Sequence, residues 1–422
     1  MKILLKNCKL NNETLNILIK DNIFDYIGKN VPDVDTEYDL KNLTVIPGVI
    51  DPHVHVRDLK QSKKEDWTSF SEAALKGGVT TVFDMPNTRP PTVNLQYLNL
   101  KREKAKAAKI NYKFNIAATS QNIPELIEIL DTKPEDVVAL KLFLAGSNSN
   151  EFVDDKEIIK IIFEISLKYN LPVIIHTELQ QCVDEYSLKV KNPTAADHNF
   201  IRNRECSVKG TELVISLAEE IGNKIYLAHI STAEEIDIIK ENKNKCRVFC
   251  EVTPHHLLLN EEILAKAGNF GKVNPPLRTK NDNKRIMQGI NDGTVDTIGT
   301  DHAPHLLSEK LKDYSEAPSG FPSIEISLPL LLNELNKGNF TLKKLTELTS
   351  GKSAEIFNLK NRGKIAEGYF ADLTVADLNK TWKIEAENFK TKAKYSPYEG
   401  MKGKGDVVMT FVNGKLKYQK KF

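Results

Sequence analysis

From residue 45 onward, short β-branched runs alternate with longer stretches whose apolar residues recur at helical spacing. The strand-like runs are VIPGVIDPHVHV, VTTVFDM, KFNIAA, VVALKLFL, PVIIH, KIYLAH, RVFCEV and VDTIGT. Between them, stretches such as DDKEIIKIIFEISLKYN and SVKGTELVISLAEEIG read as amphipathic helices. Eight strands, each followed by a helix over about 300 residues, predict an α/β fold of the (β/α)8 TIM-barrel type, with reactive groups at the C-terminal ends of the strands.

The flanks carry a different pattern. Residues 1–48 and 360–422 hold short strands with turn residues between them, including Asn413-Gly414, a pair suited to a hairpin. Both ends together are expected to form one small composite β-sandwich, residues 1–48 and 360–422, beside a barrel of residues 49–359. There is no internal repeat and no low-complexity tract.

Composition narrows the function classes. The 422 residues are 40% hydrophobic and 27% charged with a formal net charge of +2, so nothing in the electrostatics favours nucleic acid or an acidic membrane surface. No apolar run approaches the roughly 20 residues of a membrane span, and the N-terminal MKILLKNCKL is too short in apolar length for a signal peptide; a cytoplasmic protein is expected. The five cysteines lack C-x-x-C spacing, so neither a disulfide framework nor a zinc knuckle is expected, and Cys246 and Cys250 read as reduced core thiols.

Polar residues then fall at the strand tips. In TVIPGVIDPHVHVRD, residues 44–58, the period of 2 puts His53, His55 and Arg57 on one face. Lys141 lies within the fourth strand, His176 ends the fifth, His229 ends the sixth and Asp301 follows the eighth. Four of the nine histidines thus meet at one end of the barrel, with a carboxylate, in a set suited to zinc and related divalent ions. Lys141 has two readings. Its ammonium snorkels to the barrel mouth, or its neutral amine, favoured by burial, has added carbon dioxide to give a carbamate whose two oxygens bridge two cations.

In these motifs the chain resembles the dihydroorotases of the amidohydrolase superfamily. PGVIDPHVHVRD, GGVTTVFDMPNT, LKLFL, IHTE, AHISTAEEI, CEVTPHHL, GTDHAPH and SPYEGMKGKG occur in the family's order over essentially the whole length, and the lysine places it in the lysine-bearing branch. The resemblance implies two divalent ions, zinc by expectation. His53 and His55 would hold the first, His176 and His229 the second, and an N6-carboxylated Lys141 would bridge them, while Asp301 would bind the first and act as acid and base. Arg57, Asn87 and His305 would hold a substrate carboxylate, and SGFPS around Phe321 resembles the loop whose amides meet a pyrimidine ring. His255, His256 and His302 match no ligand and are expected to pack or to support.

The reaction so implied is reversible hydrolysis of dihydroorotate to N-carbamoyl-L-aspartate, in pyrimidine synthesis, by a dimetal-activated hydroxide. Its partner is a small molecule, with neither nucleic acid nor membrane, and a homodimer fits. A hydantoinase or allantoinase would share the metal ligands but not the carboxylate trio. A non-catalytic scaffold relative would have lost ligands. The first motif departs from the family: where many relatives continue with Pro-Gly, DLKQSKKEDW follows Arg57. The loop after the fourth strand, AGSNSN, offers Ser147 and Ser149 as candidates for closing over substrate.

Overall fold

The computed structural model describes residues 2–146 and 152–420, so the loop holding Ser147 and Ser149 lies outside the described residues. Five strands come first: β1 (Lys2–Leu10), β2 (Glu13–Lys20), β3 (Ile23–Gly28), β4 (Thr36–Asp39) and β5 (Thr44–Pro47). Eight follow with helices between them: β6 (Val49–Val54), β7 (Val79–Asp84), β8 (Asn111–Ala117), β9 (Val137–Phe143), β10 (Val173–His176), β11 (Lys224–Leu227), β12 (Arg247–Val252) and β13 (Thr297–Ile298). The last three are β14 (Leu373–Lys383), β15 (Lys402–Val412) and β16 (Lys415–Gln419).

Strands β6 to β13 pair in chain order and in parallel, and a parallel bridge between Val54 and His302 joins the first strand to the segment after the last. This is the expected barrel. Its interior holds Ile50, Phe83, Val138, Ile174 and Tyr226, while a larger cluster fills the space between strands and helices. The helices obey local chemistry. Lys156–Tyr169, for example, starts where the Asp155 carboxylate accepts the Glu157 N–H at 2.8 Å and stops at Asn170, whose φ of 52° is left-handed. No helix among the described residues is long and apolar enough to cross a membrane.

Both ends of the chain build one unit, as expected, in the form of a mixed sheet ordered β16-β15-β14-β5-β1-β2-β3 with β4 on β1. The first strand-like run divides between the two sheets. Residues 44–47 pair with β1 and β14, whereas 49–54 enter the barrel. Gly48 sits at the change, where a Cβ would lie 2.3 Å from Thr80 Oγ1.

Two expectations need correction. The run VDTIGT forms only the two-residue strand β13; the Gly299 N–H still donates to the Val252 carbonyl at 3.2 Å, and Gly299 passes against the Glu251 side chain, where a Cβ would come 2.3 Å from Oε2. Cys246 and Cys250 are free thiols, but Cys182 and Cys206 form a disulfide. Their helices, Gln180–Ser187 and Arg204–Ile221, meet where the Leu179 N–H donates to the Cys206 carbonyl at 3.1 Å, a tertiary contact across 24 residues that no spacing rule encodes.

Candidate active site

The barrel's C-terminal end brings His53, His55, His176, His229 and Asp301 around one pocket, with Arg57, Asn87, Ser319 and Gly320 on its walls. His53 lies in β6 and His55 just beyond it. His229 and Asp301 follow short strands and adopt left-handed backbone, with φ of 40° and 44°, strained values that a functional geometry commonly imposes. Arg57 reaches the pocket by another route than alternation. The strand has ended at Val54, and Arg57, Asp58 and Leu59 all have positive φ (70°, 38° and 49°), so a tight turn rather than the pleat aims the guanidinium.

His53, His55 and Asp301 form a compact ligand set. His53 Nδ1 is 2.9 Å from Glu251 Oε1 and His55 Nδ1 is 2.6 Å from Asn87 Oδ1. Each partner is an acceptor, so each Nδ1 carries the proton and each Nε2 is left with a lone pair. Those two Nε2 atoms lie 3.5 and 3.0 Å from Asp301 Oδ1. Three acceptors facing one another without a proton is a repulsive arrangement that a cation relieves. Burial pulls His55 down to about 4, so its imidazole is neutral and ligand-competent near neutral pH. Burial pushes the Asp301 carboxyl up, and positive charge on the neighbouring His53 and His55 rings holds it well below the usual carboxylate range; with those rings neutral, a cation between them would have to supply that charge.

On the opposite side, His176 Nδ1 and His229 Nε2 lie 3.1 Å apart. His176 Nε2 is 2.9 Å from the Glu178 carboxylate, so the His176 proton sits on Nε2 and its Nδ1 lone pair faces His229. Lys141, in β9 and paired in register with Ile174 and Ala117, is 1% exposed, and its Nζ has no hydrogen-bond partner among the described residues. Burial draws its amine down to about 8, against the pull of Glu251 and Asp301. An orphaned buried amine beside converging imidazole nitrogens fits a group that is completed by a further ligand.

Supporting residues that the sequence reading did not single out surround this set. Glu251, at the inner face of β12, accepts from His53 Nδ1, from the His229 backbone N–H at 3.2 Å and from the Tyr226 hydroxyl at 3.0 Å. Asp51 accepts from the His53 and Thr300 backbone N–H groups, both at 3.1 Å, tying β6 to the Asp301 turn; burial pushes its carboxyl up to about 7. Glu178 is gripped by Arg202 at 2.7 Å. The acid in the apolar run RVFCEV was the available signal for Glu251, since a buried carboxylate is costly unless partnered. His256 bonds Thr253 Oγ1 and the Pro275 carbonyl, His255 packs on Phe321, and His302 Nδ1 accepts from the Ser323 N–H, so all three lie outside the converging set.

Arg57, on the pocket wall, meets His305, Nη2 to Nε2 3.1 Å. Arg57 is buried; its Nε donates to the Pro304 carbonyl at 3.2 Å, and no carboxylate among the described residues pairs with it. Asn87 contacts His55 through Oδ1, which leaves its amide N–H2 for the pocket. Of the three residues predicted to share a carboxylate, Arg57 and Asn87 line the pocket, whereas His305 touches Arg57 without lining it.

An interior of converging histidines at the mouth of a parallel barrel defines a metal-dependent hydrolase class. The amidohydrolase family matches residues 44–417, and the chain belongs to it. Within that family its similarity by sequence is to dihydroorotases. The dihydroorotase of Methanosphaera stadtmanae is 36% identical over 425 residues, covering 98% of this chain and 96% of that protein. The dihydroorotase of Fusobacterium nucleatum is 34% identical over 438 residues, covering 99% and 98%. Among solved structures, the L-hydantoinase (dihydropyrimidinase) from Arthrobacter aurescens superposes with a TM-score of 0.93 at 27% identity, covering 98% of this chain and 95% of that one.

Proposed function

We propose that the chain is a dihydroorotase, catalysing reversible hydrolysis of (S)-dihydroorotate to N-carbamoyl-L-aspartate in pyrimidine synthesis. The observation that carries this reading over a hydantoinase is the buried Arg57 guanidinium, which touches His305, has no carboxylate paired with it among the described residues and lines the same pocket as the His53, His55 and Asp301 set. A bound anion would stabilise such a guanidinium further. Hydantoin and dihydrouracil have no carboxylate to offer, and dihydroorotate has one.

His53, His55 and Asp301 would hold one divalent ion, His176 and His229 a second, and a carboxylated Lys141 would bridge them, zinc being the ion this donor set suits. When bound, the ions supply an acidified water and polarise the ring carbonyl. The rest of the reaction falls to the chain. Arg57, Asn87 and His305 grip the substrate carboxylate and so fix the ring over Asp301. Asp301, ionised at neutral pH, accepts the proton of the attacking water and delivers it to the ring nitrogen as the amide bond breaks. Glu251 and Glu178 hold His53 and His176 in their working tautomers. The surrounding SGFPS loop contributes Ser319 and Gly320 to the pocket. In synthesis the proton travels the other way.

The test is turnover in both directions by the purified chain supplied with zinc and bicarbonate. Interconversion of dihydroorotate and carbamoyl aspartate is expected, with loss on chelation. A chain that binds zinc yet turns over neither compound would fit the scaffold reading instead.

A further inference from the structure

Two buried lysines that the reaction leaves unused hold one wall of the pocket. Lys310 closes the short helix Leu307–Lys310, and Lys272 directly precedes the pocket residues Val273 and Asn274. Both side chains are buried, and no carboxylate among the described residues pairs with either Nζ. A buried amine is costly unless its N–H groups find acceptors. Burial holds both amines below the usual lysine range: Lys272 at about 8, with Arg202 acting the same way, and Lys310 well below, with Lys272 adding to the effect and Glu309 opposing it.

Their close acceptors are backbone carbonyls of one segment. Lys310 Nζ donates to the Pro318 and Gly320 carbonyls at 2.8 and 3.0 Å, with the Lys272 carbonyl further off at 3.5 Å. Lys272 Nζ donates to the Tyr314 and Ala317 carbonyls, both at 2.7 Å. A lysine has two N–H donors when neutral and three when charged, so the close carbonyls are served in either state.

That segment has little else to order it. Residues 311–326 join the helices Leu307–Lys310 and Ser327–Asn336 without a helix or strand of their own, and a connection of this length is uncommon unless it has a function. Its Ser319 and Gly320 line the pocket with Asp301 and Ala303. Lys310 grips the residues on either side of Ser319, and the Gly320 N–H donates to the Lys272 carbonyl at 2.9 Å. Gly320, with φ of 116°, packs so closely that a Cβ would lie 2.7 Å from the Ala303 Cβ. The backbone at 319–320 is thus tied to the two lysines and seated on Ala303, two residues after Asp301.

We propose that Lys310, aided by Lys272, is a positioning residue for substrate: the pair fixes the backbone of Ser319 and Gly320 so that the ring binds against a preset wall beside Asp301. The proposal rests on the reading of the pocket as a dihydroorotate site.

The experiment compares the metal-loaded wild type with Lys310→Met, which keeps an unbranched stem and removes the donors. A preset wall serves bound substrate and transition state alike. KM for dihydroorotate should therefore rise roughly ten- to a hundredfold, the worth of two hydrogen bonds, while kcat changes only a few fold and bound metal is unchanged. Amide hydrogen exchange, read by mass spectrometry, should become about tenfold faster or more over residues 311–321 and stay as it was in β6, β10 and β11. Lys272→Met, which releases the Tyr314 and Ala317 carbonyls instead, should show the same split and carries the test if Lys310→Met does not fold. A KM within twofold of wild type, or exchange that rises as much in those strands as in the loop, would overturn the proposal. A wild type that turns over neither dihydroorotate nor carbamoyl aspartate would instead defeat the functional reading beneath it, and the exchange measurement, which needs no substrate, would still judge the two lysines.

Discussion

Removing the amine of Lys141 should make the metal-free protein more stable while abolishing what it does. The side chain is 1% exposed, its Nζ meets no acceptor among the described residues, and its pKa falls from 10.5 to about 8 through burial. At 1.36 kcal/mol for each tenfold change, that drop corresponds to about 3 kcal/mol of destabilisation whenever the folded protein must carry the ammonium. Above pH 10.5 the amine is neutral folded and unfolded, and the cost vanishes. As pH falls from 10.5 to 8 the unfolded chain takes up the proton first, so stability drops; below pH 8 the full cost remains. Lys141→Met keeps the unbranched stem and removes the charge. In chelator-treated, carbonate-free buffer it should melt higher than wild type at pH 7, by about 3–4 °C for an unfolding entropy near 0.9 kcal/mol/K in a chain of this length. The gain should disappear near pH 10.5. The same variant should lose most bound metal and nearly all turnover, because the proposed bridge is gone and the two cations repel. Calorimetry at the two pH values and metal analysis decide it. A variant less stable than wild type at pH 7, or one that keeps two ions per chain, would refute the reasoning.

Asp301→Asn should keep much of its metal, since an amide oxygen can still ligate, but lose turnover by several orders of magnitude; activity within tenfold of wild type would move the acid-base role elsewhere. Glu251→Gln removes the charged acceptor shared by His53, the His229 backbone and Tyr226, and should weaken zinc binding about 10- to 100-fold in chelator competition. Unchanged zinc affinity would make Glu251 a packing residue only.

The side chains that converge at the barrel mouth were legible because barrel chemistry is tied to strand ends, and strand ends can be read from apolar runs that stop at a polar residue. His53, His55, His176, His229 and Asp301 all announce themselves this way, and Lys141 does so as a charge inside an apolar run. Arg57 was found for a partly wrong reason, since a turn of three left-handed residues, not strand periodicity, delivers it. Glu251 was visible as an acid in RVFCEV, but its meaning depends on β12 lying beside β11 and on Gly299 making room for it, which only the assembled barrel reveals. The Cys182–Cys206 disulfide and the reach of Lys272 to the Tyr314 and Ala317 carbonyls are likewise tertiary. Neither has a local pattern, because each joins segments whose approach is set by packing elsewhere.

The central claim is that this pocket is built for an anionic ring, and substrate discrimination tests it most directly. Dihydrouracil is dihydroorotate without its carboxylate, so it presents the same scissile amide while leaving Arg57, Asn87 and His305 unpaired. Hydrogen bonds to a charged group are worth about 1.5–3 kcal/mol each, and losing two or three implies a preference of roughly 10³-fold or more in kcat/KM. Measured on the metal-loaded protein, wild type should show that preference and Arg57→Ala should lose most of it through a lower kcat/KM for dihydroorotate. Equal rates on the two rings in wild type, or a preference that survives Arg57→Ala intact, would contradict the account.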